Sequence, residues 1–125
     1  MVFADHGHSL TLTATAGAIS DADGGTAVSL TNATGQATLT AATGIGSADA
    51  IETTVAMLSA TNTGTTGNID LTESNGATVA ALQQTNTGNT AGTVRLDTTY
   101  IMGNIGLNDG AVLGQGGLIT LTAAN

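Results

Sequence analysis

Gly67-Asn68-Ile69-Asp70-Leu71-Thr72 decides how this chain folds, because variants of it return along the sequence. Val94-Arg95-Leu96-Asp97 follows 25 residues later, and Ile119-Thr120-Leu121-Thr122 another 25 after that. Upstream, Leu10-Thr11-Leu12-Thr13 and Ala37-Thr38-Leu39-Thr40 carry the same alternation. Aligned on Leu12, Leu39, Leu71, Leu96 and Leu121, the intervals are 27, 32, 25 and 25. Successive residues of a strand face opposite sides, so each unit offers one apolar and one polar face. A single short strand cannot bury its apolar face alone; one that recurs every roughly 20–50 residues buries it against its own copies. The pattern predicts an all-β, parallel β-helix of about five coils of roughly 25 residues, the 32-residue interval marking a corner insertion. The general rule for parallel crossovers makes it right-handed.

Composition agrees with stacking. The 125 residues hold no Trp, one Phe and one Tyr, so a conventional globular core would lack bulk. Ala, Val, Leu, Ile and Thr suit a narrow core in which like positions stack coil on coil. The 18 glycines supply corners, and the absence of Pro leaves every backbone N–H available to a neighbouring coil. Residues 1–8 fit no repeat and read as an unpatterned leader or a remnant foreign to the array. Residues 9–125 read as a β-solenoid repeat segment, part of a longer array.

Charge excludes several partners. With Arg95 the sole Lys or Arg against nine carboxylates, the net charge is -8, and the chain cannot neutralise a phosphate backbone or an anionic membrane surface. No run approaches the roughly 20 apolar residues of a membrane span. Met1-Val2-Phe3-Ala4 followed by Asp5 has neither the basic region nor the apolar length of a signal peptide.

Along the chain, Ser9 to Ala14 opens coil one, Asp21-Ala22-Asp23-Gly24-Gly25 makes a polar corner, and Ala27 to Thr31 a second strand. Asn32-Ala33-Thr34-Gly35 predicts a turn into the strand Gln36 to Ala42. Leu12 to Leu30 and Leu39 to Met57 both span 18 residues, which predicts that the second strand repeats in register. Ala50 to Ala60 could form an amphipathic helix, but the β-branched run Thr53-Thr54-Val55 favours a strand. Thr61-Asn62-Thr63-Gly64 returns as Thr85-Asn86-Thr87-Gly88 before the main strands, and Tyr100 to Leu107 should match Thr78 to Leu82.

No catalytic constellation emerges, so the chain is not expected to be an enzyme. The carboxylates sit mostly in corners where charge is solvated, and Asp21-Ala22-Asp23-Gly24 lacks the further ligands of a calcium loop. Asp70 precedes its repeat leucine and Asp97 follows it, which suggests opposite faces and no acid/base pair. Asp5-His6-Gly7-His8 lacks a third strong metal ligand nearby, and no serine has a His partner in the patterned region. No cofactor or metal is expected. Rows such as Thr11, Thr13 and Thr15 resemble the ladders of ice-binding solenoids, but Asp70, Arg95 and Asp97 interrupt the Thr-x-Thr pattern, so threonine reads as a strand former on a solvated face. The candidate interaction loop is the insertion: Gly44, Ile45, Gly46, Ser47, Asp49 and Glu52.

The units Gly67 to Thr72, Gly92 to Asp97 and Gly117 to Ala123, with their Thr-Asn-Thr-Gly and Ser-Asn-Gly-Ala turns, resemble the repeats of filamentous haemagglutinin-type bacterial adhesins. That resemblance implies a stalk built as a right-handed parallel β-helix at the bacterial cell surface or outside the cell. It gives a structural rod that self-associates through its end coils as the expected role. A module that recognises a glycan or host surface protein through the corner loop or flat polar face is the alternative.

Overall fold

The computed structural model describes residues 7–25, 27–98, 105–107, 110 and 112–123, at 105–107 the backbone alone. Among them are nine strands: β1 (Ser9–Ala14), β2 (Leu30–Ala41), β3 (Ile51–Asn62), β4 (Ile69–Glu73), β5 (Ala77–Gln84), β6 (Val94–Thr98), β7 (Ile105–Leu107), β8 (Val112–Leu113) and β9 (Ile119–Thr122). All pairings between them are parallel. The chain is a β-solenoid, as its periodicity predicts, and Ala50 to Ala60 is strand.

Three columns run along the axis. Leu12, Leu39, Ala60, Leu82 and Val112 stack in one. Ile19, Ile45, Ile69, Val94 and Ile119 form the second. Ile51, Leu71, Leu96 and Leu121 form the third. Leu12 to Val112 is four returns of one face, so the solenoid has about four turns, not five. The difference has a physical cause: Leu39 and Leu71 carry the same local pattern but lie in different columns. Aligning them merges two faces into one and creates the 32-residue coil. The Leu30/Met57 register fails because the first coil has the longer corner: Leu30 pairs with Thr53, and Met57 with Gln36 and Thr78.

Two smaller expectations also change. Asn32 to Gly35 does not end a strand; β2 continues through it as an irregularity, with Asn32 opposite Val55 and Gln36 opposite Met57. The Thr-Asn-Thr-Gly copies are offset, since Asn62 stands opposite Gln84, not Asn86. Ile105–Leu107 does pair with Ala77–Val79, while Tyr100 to Gly103 lies outside the described residues.

The alternation in sequence becomes alternation in burial. In β4, Ile69, Leu71 and Glu73 point inward while Asp70 and Thr72 point out; β6 repeats this with Val94, Leu96 and Thr98 inward. Leu39, Ile45, Leu58, Ile69, Leu71, Val79 and Leu82 have no exposed surface. Each such aliphatic side chain contributes about 1.5–3 kcal/mol relative to exposure, which is how small residues stabilise the stack without aromatic bulk.

One corner is closed by amides. The Gly67 carbonyl accepts from Asn62 Nδ2 (3.2 Å), Gln84 Nε2 (3.1 Å) and Asn89 Nδ2 (2.9 Å). Gln84 Oε1 accepts from both asparagines at 2.8 Å. These bonds pair buried amides across coils 22 residues apart, and among the described residues Asn62 Oδ1 is the atom of this cluster left without a partner.

Candidate functional site

The irregular corner lies between the second column and the start of the third. Ten residues separate Ile19 from Leu30, seven separate Ile45 from Thr53, and three separate both Ile69 from Glu73 and Val94 from Thr98, positions that stack on one another. The corner therefore steps outward towards the first coil. The insertion expected at Gly44 to Glu52 is real, but it is the middle step; the larger excursion is the Asp21–Gly25 loop above it.

Only part of the candidate loop faces solvent. Ile45 is a core residue, Gly44 and Gly46 are buried, and Glu52 is 7 % exposed, whereas Ser47 is exposed and Asp49 half-buried. Gly46 has φ +67°, and a Cβ there would lie 2.2 Å from the Asp70 carbonyl oxygen, so the chain can leave the stack here only through glycine. Ser47 Oγ accepts from the Asn68 N–H at 3.2 Å and pins the loop to the next coil.

The loops bring carboxylates together in a way the sequence did not announce. Ser29, opposite Glu52 in the adjacent coil, donates its hydroxyl to Asp21 and lies 3.4 Å from Glu52 Oε2. The Ser29 hydroxyl and the Asp23 N–H hold Asp21 below the usual carboxylate range. Burial pushes Glu52 up, aided by a hydrogen bond from its carboxyl to Asp21 and by the nearby negative charges of Asp21 and Asp49. The two carboxyls beside Ser29 are thus pushed in opposite directions, Asp21 down and Glu52 up.

Two further carboxylates share a face, correcting the expectation that Asp70 and Asp97 point apart. Residues one before and one after a leucine lie on the same side of a strand. Asp70 stands opposite Arg95, whose guanidinium donates to Asp70 Oδ1 and Asp97 Oδ2, both at 2.7 Å. The chain's sole strong cation is therefore committed to this outer face. A fifth carboxylate, Glu73, is wholly buried, against the expectation of solvated corners, and burial raises its pKa. Among the described residues no three Asp, Glu or His side chains converge to hold a metal ion. Asp5 and His6 lie outside them, and the His8 carbonyl accepts from Asn32 Nδ2 at 2.6 Å.

The outward face of β1, β2 and β3 carries a ladder of hydroxyls. Thr11, Thr38 and Ser59 form one outward row and Thr13, Thr40 and Thr61 the next. The charged residues that interrupt Thr-x-Thr in sequence belong to β4 and β6, on another face. Ala81 and Gln83 end the ladder at β5.

At the first coil lies a cleft of about 470 Å³, lined by apolar Leu12, Ile19, Val28, Leu30 and Ile51 and by polar Asp21, Asp23 and Ser29. At the last coil, Leu113, Leu118 and Ile119 are exposed. No family model, no curated protein and no solved structure matches the chain.

Proposed function

We propose that this chain is a structural segment: a rigid stack of coils that builds an acidic rod at a bacterial cell surface and extends by end-to-end association. The reading is carried by the unbroken columns, in which each inner coil bonds to the coil on either side through parallel backbone ladders. Hydrogen bonds aligned with the axis resist bending and stretching, and the outward charges oppose lateral clumping. The surface location rests on the resemblance to adhesin stalk repeats.

Rigidity is testable because the chain has no cysteine. Thr13 and Leu113 stand in one outward row, four coil steps apart. Spin labels on the Thr13→Cys, Leu113→Cys variant, diluted in an excess of unlabelled chain, should give a single narrow distance, from backbones about 19 Å apart at about 4.8 Å per step. A broad distribution would overturn the rod.

A second reading, a glycan-binding module, is favoured by the hydroxyl ladder, an outward face with regularly spaced donors and acceptors. Screening the chain on a glycan array decides it: saturable binding lost in Thr40→Lys supports this reading, and no binding leaves the rod.

A further inference from the structure

We propose that the partner at the end coils is a second copy of this chain, docked head to tail with Leu118 and Ile119 of one copy seated against Ala18, Ile19 and the apolar cleft of the next. The proposal deepens the rod reading and rests on it. Among the described residues β1 pairs only with β2, β8 only with β5 and β9 only with β6, so among them the first and last coils are each bonded to a neighbour on one side.

The columns specify the register. Continuing the first places Val112 of one copy under Leu12 of the next; continuing the second places Ile119 under Ile19. Each junction repeats the aliphatic stacking found inside. The last coil leaves Leu118 69 %, Ile119 43 % and Leu113 42 % exposed, the largest apolar exposure among the described residues. The first coil offers Leu12, Ile19 and Val28, all half-buried, in its cleft.

Charge disfavours one of the possible pairings. The first coil carries Asp21 and Asp23 beside the cleft, whereas the sequence from Ile105 to the C-terminus holds one charged side chain, Asp109. Two first coils would bring two pairs of carboxylates together, whereas the last coil adds only Asp109; the columns, which continue only from a last coil to a first, set the head-to-tail direction. Such a contact is heterologous and does not close by itself, so it generates an open filament. Five rungs per copy give an axial subunit repeat of about 24 Å.

The test is sedimentation velocity over a concentration series, with negative-stain microscopy of the larger species. Leu118 and Ala18 are exposed and fall opposite each other across the proposed junction, so Leu118→Lys and Ala18→Asp each place a charge against an apolar partner. We expect the unmodified chain to associate with rising concentration and each variant alone to stay monomeric. Their equimolar mixture should reassemble, because one junction then pairs Lys with Asp and the other is unmodified; that rescue also requires both variants to be folded. An unmodified chain that stays monomeric throughout would overturn the proposal, as would association lost in Leu118→Lys but kept in Ala18→Asp, the mark of a closed tail-to-tail dimer. A monomer with a narrow Thr13–Leu113 distance would sink the docking while leaving the rod intact; a broad distance would sink the rod itself.

Discussion

Thr53 and Glu73 stand opposite each other in adjacent coils, and the Thr53 hydroxyl donates to the Glu73 carboxylate at 2.7 Å where neither residue is exposed. The same carboxylate accepts from the N–H groups of Val55 (3.2 Å) and Asn75 (3.0 Å). It thus satisfies backbone donors on two coils at a corner where the strand ladder stops. Glu73→Ala would leave these donors buried without an acceptor and should cost about 2–4 kcal/mol, measured by urea unfolding.

Acid should stabilise this protein between neutrality and about pH 5. Burial raises both Glu52 and Glu73 above their ordinary 4.5, so the stability each contributes is complete below that value and is lost as pH rises through the folded pKa. Asp21 and Asp49 face Glu52 and add to its shift; no charged group drives that of Glu73. Asp21, lowered from 3.8, acts oppositely, its contribution being lost only as pH falls through its folded value. Urea midpoints at pH 7, 6 and 5 should therefore rise in that order, and the slope should flatten in Glu52→Gln and Glu73→Gln. Midpoints that fall over this range would contradict the assignment.

The amide corner should be cooperative. Gln84 bonds to Asn62, Asn89 and the carbonyls of Gly67 and Thr93, so Gln84→Leu strands several polar groups in the interior. A loss of about 2–4 kcal/mol is expected in denaturant unfolding, against less than about 1 kcal/mol for Gln83→Leu on the outer face.

Arg95 should matter little to stability. Its side chain is 40 % exposed and its partners Asp70 and Asp97 are 34 % and 26 % exposed, so both ion pairs are screened by solvent. Arg95→Ala should cost at most about 1 kcal/mol at low ionic strength, and the difference should vanish at about 1 M salt. A salt-independent loss would mean that the arginine acts through packing.

The division between what was readable in the chain and what was not follows from where the information lies. Alternation such as Ile69-Asp70-Leu71-Thr72 is local, because the side-chain period of a strand is 2, and its return at 25-residue intervals specified stacked parallel strands. The missing aromatics, the absent proline and the lone Arg95 likewise set the narrow core and the acidic surface. Which strand lies on which is not local. Leu12-Thr13, Leu39-Thr40 and Leu71-Thr72 look equivalent in sequence, yet Leu39 stacks on Ala60 and Leu71 on Ile51 and Leu96. Corner lengths vary from coil to coil, and only the closed structure sums them into a register. That register brings Asp21 to Glu52, aligns Thr13, Thr40 and Thr61, and puts Glu73 inside. Strand and alternation are thus properties of a few neighbouring residues, whereas the partners of each strand depend on the whole closed path, because stacking energy depends on which faces the corners bring together.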